Sequence, residues 1–311
     1  MTIKAELLTL SNTDRDFADI ARISFARTAN DYSDESNAKL IKYLATSNPS
    51  HWLPMGHNRI AIETDSARLY MEVMRLEIPY NASFITSRNQ SRGTYTISAS
   101  IWGWLQAYKK CKLGLPPCVM DEIKRSYPTL ADVFGLNSEA SNRILPDIIP
   151  QYNIVEPTSI HRHFTFKCSA PVFIARQLGK HQVQFTWSEE SRRYIKSDPA
   201  FHTIEQLRYA PDGSIKQGSG GNLPVNLNDL HKAKIESNQL RCLDLYHEML
   251  EANIAPELAR SVLPQDMVIN WIWTGSIIGW KRLLGLRLEA HSQKETQGFA
   301  SQIEQQLAGY L

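Results

Sequence analysis

Two arginines and a serine stand side by side in Ser188-Glu189-Glu190-Ser191-Arg192-Arg193-Tyr194. Forked guanidinium donors next to a hydroxyl suit a phosphate, and the adjoining carboxylates can fix the arginines or accept from the N–H of a base. The competing reading is a solvated turn, the usual fate of a charge run. Upstream lies an apolar anchor, Pro171-Val172-Phe173-Ile174-Ala175-Arg176-Gln177-Leu178, whose proline suits the first position of a helix. On that helix Arg176 and Lys180, and likewise Gln177 and His181, stand four residues apart, so polar groups would sit on adjoining faces at the edge of a core. Farther on, Arg260 lies among Leu258, Val262 and Leu263, as a core ion pair or as an arm for a ligand. Arg287, His291 and Glu295 recur every four residues, with Arg282 and Gln293 nearby, giving either an ion-pair ladder or one wall of a site.

Other chemistries find less support. Cys111, Cys118, Cys168 and Cys242 form no C-x-x-C pair, which argues against a zinc knuckle or a disulfide framework and suits a reducing compartment. Cys168 and Cys242 read as small buried hydrophobes rather than nucleophiles. His161-x-His163 lacks a third ligand close in sequence, so no metal site is expected. His51 and His57 flank the proline turn of His51-Trp52-Leu53-Pro54-Met55-Gly56-His57.

The elements that must position these residues come from a chain of 311 residues, 42% hydrophobic and 21% charged, with a net charge of +2. Such a balance gives no general attraction to nucleic acid or acidic membrane, so any anion site must be local. No apolar run reaches the ~18 residues of a membrane helix and no cleavable leader is visible, so a soluble, cytoplasmic protein is expected. Helices are expected over 17–25, 35–44 and 66–76, a strand over 59–63, and a mostly helical stretch over 94–110. A short helix at 130–134 and a strand at 163–167 follow. Then come a mobile glycine-rich loop with its tip at 217–222, and a long helix over 229–252 that buries Ile235, Leu240, Cys242, Leu243, Tyr246, Met249 and Leu250 and ends on a left-handed Asn253. Residues 265–307 read as one long helical region. Ser100-Ile101-Trp102-Gly103-Trp104 echoes Ser276-Ile277-Ile278-Gly279-Trp280, a match short enough to be chance.

Taken together, Ala21-Arg22-Ile23-Ser24-Phe25, the His51–His57 turn, the stretch from Ala170 through Gln182 with Ser188–Tyr194, Glu257-Leu258-Ala259-Arg260-Ser261-Val262-Leu263-Pro264, and Leu286 through Glu295 resemble the ThyX-type flavin-dependent thymidylate synthases in order and spacing. The resemblance covers residues 17–57 and about 160–305. It implies an α+β, ThyX-like fold, a central antiparallel sheet with long helices, in a single catalytic domain over 1–311. It also implies a homotetramer with active sites shared between subunits, FAD as cofactor, and dUMP methylated to dTMP, with methylenetetrahydrofolate and NADPH as co-substrates. Carried over by position, Gln177, Glu189, Ser191, Arg193, Arg260 and Arg287 would bind dUMP, with Ser191 and Arg193 at its phosphate, Arg260 reaching it from another subunit and Arg287 as the activating residue. His51, Leu53, Lys180, His181, Gln182, Val183, Arg282, Leu286, His291 and Gln293 would contact FAD.

Three features depart from the family pattern. Its Arg-His-Arg reads Lys180-His181-Gln182, which removes one fork and one charge. Its Asn-x-Arg reads Ser276-Ile277-Ile278. Residues 58–160 form an insertion, expected to be mostly helical, which leaves either His57 or His161 as the second histidine of the turn motif. The alternatives to a dTMP synthase are a related dUMP-modifying flavoenzyme, such as a hydroxymethylase, or a non-catalytic nucleotide- or nucleic-acid-binding relative.

Overall fold

The computed structural model describes residues 3–47, 51–76, 84–110, 114–138, 152–154, 159–211, 213 and 218–311. Cys111 and Gln217, singled out above, lie outside this set. β1 (Lys4–Leu8) leads to α1 (Asp14–Arg22), which Thr13 and Asp16 start with a capping box, and to α2 (Asp34–Thr46), where Ser33 accepts from the Ser36 N–H. A 3₁₀ turn, Leu53–Gly56, brings the chain to β2 (Arg59–Thr64), α3 (Ala67–Met74), β3 (Ile85–Asn89) and β4 (Thr94–Ser100). Next are α4 (Ile101–Lys110), α5 (Pro117–Ser126), α6 (Pro128–Val133) and β5 (Tyr152–Ile154). The later part holds β6 (His163–Pro171), α7 (Val172–Leu178), β7 (Phe185–Glu189), α8 (Val225–Glu251), α9 (Pro256–Ala259), β8 (Val268–Ser276), α10 (Ile277–Arg287) and α11 (Lys294–Leu307). None of the described helices is long and apolar enough to cross a membrane.

Helix and sheet are mixed, and both four-stranded sheets are antiparallel, one in the order β1-β6-β8-β7 and the other β3-β4-β2-β5. Each sheet carries its own core. Phe17, Met55, Ile62, Ile97, Trp104 and Tyr127 centre that of β3-β4-β2-β5, which includes α1 and α2. Phe166, Trp271, Trp273, Trp280, Phe299 and Ile303 centre that of β1-β6-β8-β7. Six aromatic rings, with Phe185, interlock there at centroid spacings of 4.8 to 6.5 Å, offset or edge-on as ring quadrupoles prefer.

Several sequence expectations are corrected. Residues 94–110 are a strand and then a helix, because Ile97 and Ala99 alternate inward and Ser100 turns the chain. Segment 58–160 is therefore not simply helical: β2 to β5 make a complete sheet, covered by helices. Residues 265–307 are not one helix. Val268–Ser276 is a buried central strand, and α10 and α11 are separated by residues 288–293. A run buried on both faces loses the period that separates strand from helix. On α8 Tyr246 is buried, but Leu240 is 62% exposed and Leu245 44%. Ile235, Cys242, Leu243, Met249 and Leu250 are half-buried, so the expected inner side holds except at Leu240. Asn253 does adopt the left-handed conformation after α8, at φ 57°.

Candidate active site

Strand β8 is the spine of the site. Its residues Trp271, Trp273 and Gly275 pair with Glu189, Trp187 and Phe185 of β7, and β6 closes the other side. Phe185 lies where a side chain at Gly275 would stand, so this glycine is required for close approach. Pro171 is the last residue of β6 and the N-cap of α7 rather than its first turn. Gly179 ends α7, so Lys180 and His181 leave the helix in the turn that follows.

A cleft of about 620 Å³ opens over these elements. Among the sequence candidates, Leu53, Lys180, His181, Gln182, Glu189 and Arg260 line it. Arg176, Trp187, Glu190 and Arg192 also line it, none of them among the residues carried over by position. Trp187 stacks on Trp271 at 4.4 Å and donates from Nε1 to Glu189 Oε2 at 3.0 Å. Burial pushes the Glu189 carboxyl up, and the charge of Arg260 partly opposes that shift. Glu190 is also raised by burial, although Asn270 donates to it at 2.9 Å. Arg260 is exposed at the rim, so the core-pair reading falls.

A second cleft, about 460 Å³, is lined by Gln177, Arg208, Gly218, Ser219, Arg287, His291, Ser292 and Gln293. Arg287, His291 and Glu295 do not share one helix. They occupy the end of α10, the following turn and the first turn of α11. Arg208 closes the wall, donating to Glu295 at 2.6 Å and to Ser219 Oγ at 2.7 Å. The sequence had offered this loop only as a mobile connection. Its organising residue, Arg208, carried no pattern by which to find it.

One bond joins the two clefts. Arg287 Nε donates to His181 Nε2 at 2.9 Å, and Arg287 Nη2 donates to the Gln177 carbonyl at 3.1 Å. Gln177 is held in turn by Gln293 and by Thr296, whose Oγ1 lies 3.3 Å from Gln177 Oε1. Burial, then the charges of Arg287 and Arg282, push His181 down to about 4. Its ring is therefore neutral near pH 7, with Nε2 as the acceptor and the proton on Nδ1.

The phosphate candidates sit beside the first cleft. Arg193 is exposed, and its Nε donates to Ser191 Oγ at 3.3 Å. Arg192 turns inward instead, bonding the Ser197 carbonyl and lying 5.8 Å above the Tyr246 ring. Backbone bonds tie this turn to the early chain: Ser191 N–H donates to the Ser24 carbonyl at 3.1 Å, and Ser24 Oγ to the Glu189 carbonyl at 3.2 Å. Val183 is 59% exposed and Leu286 49%. Arg282 is also exposed, and His51 stacks on Tyr43 at 6.0 Å; none of these four lines either cleft. Cations, exposed apolar edges and an aromatic floor suit a large ligand that is both planar and anionic.

The family profile described as Thy1, thymidylate synthase complementing protein, matches residues 155–310. The flavin-dependent thymidylate synthase of Aquifex aeolicus (strain VF5) is 27% identical over 327 residues, covering 97% of this chain and 96% of its own length. That of Thermotoga neapolitana is 31% identical over 170 residues, covering 53% and 70% respectively. Against that of Kosmotoga olearia the chain is 33% identical over 140 residues and spans 60% of the relative's length. Among solved structures, a UMP/dUMP methylase from Streptomyces cacaoi bound with 5-Br UMP superposes with a TM-score of 0.44 at 25% identity, over 49% of this chain and 71% of that one.

Proposed function

The chain belongs to the thymidylate synthase complementing protein family, and from that premise we propose that it is a flavin-dependent thymidylate synthase converting dUMP to dTMP. The observation that carries this reading is the His181–Arg287 bond, which unites the two clefts into one site lined by family-matched residues. The residues fit FAD: Lys180, Arg282 and Arg176 offer charge for its phosphates, while Leu53, Trp187 and Phe185 offer apolar surface for a flat ring. When bound, the flavin supplies the hydride, methylenetetrahydrofolate the carbon and NADPH the reducing equivalents.

The chain's own residues bind and orient. Ser191 and Arg193 hold the dUMP phosphate by charge-assisted bonds, and Arg260 of another subunit reaches it. Glu189, fixed by Trp187, accepts from the nucleotide. Arg287 enters the site with two nitrogens already bonded, so its remaining nitrogen, Nη1, is pre-aimed at the pyrimidine oxygen that gains negative charge. A neutral His181 makes this possible, because a protonated ring would repel the guanidinium. Leu53, His51, Gln182, Val183, Leu286, His291 and Gln293 complete the flavin contacts. The active form is an oligomer of this chain with sites shared between subunits, and the exposed Leu230, Leu240 and Leu245 of α8 are apolar side chains available for its assembly.

Purified protein incubated with FAD, dUMP, methylenetetrahydrofolate and NADPH tests this. Flavin absorbance and dTMP formation are expected. A colourless protein that takes up no flavin would refute the reading, and a hydroxymethyl product would redirect it to the related dUMP-modifying chemistry.

A further inference from the structure

The two sheets correspond strand for strand. β5-β2-β4-β3 matches β1-β6-β8-β7, every neighbouring pair is antiparallel, and chain order within the correspondence is kept. α3 follows β2 as α7 follows β6, and α4 follows β4 as α10 follows β8. The register agrees as well, with Ser100 opposite Arg59 and Ser276 opposite His163, the first residues of their strands.

The echo that sequence alone left to chance falls at this junction. Gly103 N–H donates to Ser100 Oγ at 3.1 Å, and Gly279 N–H to Ser276 Oγ at 3.0 Å. The Ile101 N–H reaches the Asn58 carbonyl at 3.0 Å, and the Ile277 N–H reaches that of Arg162 at 2.9 Å. Trp104 Nε1 donates to the Ile60 carbonyl at 3.1 Å, and Trp280 Nε1 to that of Phe164 at 3.3 Å. Three equivalent bonds at equivalent positions are not coincidence.

The contacts between the halves are reciprocal. His57, two residues before β2, lies 2.7 Å from Thr274 Oγ1 and 3.0 Å from Ser188 Oγ of the later sheet. His161, two residues before β6, lies 2.9 Å from Ser98 Oγ and 2.8 Å from Ser87 Oγ of the earlier sheet. Thr274 and Ser98 each stand two residues before the junction serine, and Ser188 and Ser87 hold the matching register on the neighbouring strand. The edge strands cross over too: β1, from the early chain, closes the later sheet, and β5, just before β6, closes the earlier one. Contacts of i with j repeated as j with i, with first strands exchanged, define an isologous, strand-swapped two-fold interface. Near its axis the equivalent residues Arg59 and His163 meet, and the arginine's charge adds to burial in holding His163 down.

We infer that the chain is a fused pair of one catalytic unit, in which the earlier copy has lost its site and serves the later copy as a built-in partner subunit. The loss is visible. Between β7 and β8 run residues 190–267, with Ser191, Arg193 and Arg260, whereas β3 and β4 are joined by 90–93 alone. Arg88 stands where the later copy has Glu189. The service is visible as well: Leu53 lines the first cleft, Ser24 anchors the 189–191 backbone, and His57 braces β7 against β8. Segment 58–160 is then no foreign insertion, and both histidines fill the second place of the turn motif, one in each copy.

The test compares matched seam substitutions in the full chain. His57→Gln and His161→Gln each remove the same pair of bonds, so melting temperatures should fall by amounts within a few degrees of each other. Below both melting points, His57→Gln should lower kcat/KM for dUMP at least tenfold, and His161→Gln should leave it within twofold. Ser188→Ala and Ser87→Ala supply a milder pair if a histidine variant does not fold. Titration of the wild-type chain should saturate at one FAD and one dUMP per chain. Two per chain, a seam substitution with no effect on melting, or equal activity losses from both histidine variants would overturn the inference. The melting comparison needs no activity, so failure of the proposed function is separable from failure of the fused-pair reading.

Discussion

Arg287 carries the largest single functional expectation, because its geometry is set before substrate arrives. Its guanidinium is half-buried and bonded to a neutral His181 and to the Gln177 carbonyl. We expect Arg287→Ala to lower kcat by about 100- to 1000-fold, the usual loss on removing a pre-aimed electrostatic donor. The fold should survive, since the net stability of its bonds is about 0.5–1.5 kcal/mol each. Steady-state kinetics beside a thermal melt checks both halves, and near-normal turnover would remove Arg287 from the mechanism. These residues were legible in sequence because arginine, glutamate and glutamine recur in a family order. Arg208 was not, since its role depends on a loop folding back onto Glu295.

At the scale of elements, the site depends on how closely β7 approaches β8. Phe185 fills the space over Gly275 and Gly279, so a methyl group on Gly275 runs into its ring. Gly275→Ala should cost about 1–3 kcal/mol as an overpacked core position. It should also displace Phe185 from the cleft wall, raising KM for the ligand that rests there. Denaturant unfolding with parallel kinetics measures the pair, and an unchanged midpoint would show that the strands separate freely. Here the sequence misled: Val268–Ser276 is largely buried on both faces, and only its place at the centre of a sheet identifies it as a strand.

For the whole molecule, the seam makes stability depend on pH. His57 and His161 are buried without a carboxylate partner among their described contacts, and desolvation pushes them down to about 3 and about 4. Arg59 adds its charge against His161. An unfolded imidazole titrates near 6.5, so below that pH the unfolded chain binds protons that the folded chain refuses. Their contribution is complete above about pH 6.5 and is lost as the pH falls toward the folded values, at up to about 1.4 kcal/mol per pH unit for each ring. Melting temperature should therefore drop between pH 6 and 4, and His161→Gln should flatten that slope. An identical slope in the variant would place the acid sensitivity elsewhere.

The sequence by itself determined the family to which the chain belongs, because that depends on residue types at fixed spacing within short stretches. It also located α2, α8 and the left-handed Asn253, which rest on local caps and turns. Only the tertiary structure decided that Gln177, Arg287 and His181 meet, that Arg208 folds back onto Glu295, and that segment 58–160 forms a sheet of the same strand order as the one beside it. The physical reason is common to all three. Hydrogen-bond register and two-fold reciprocity are relations between distant segments, and side chains can change almost completely while the backbone pattern that makes those relations persists.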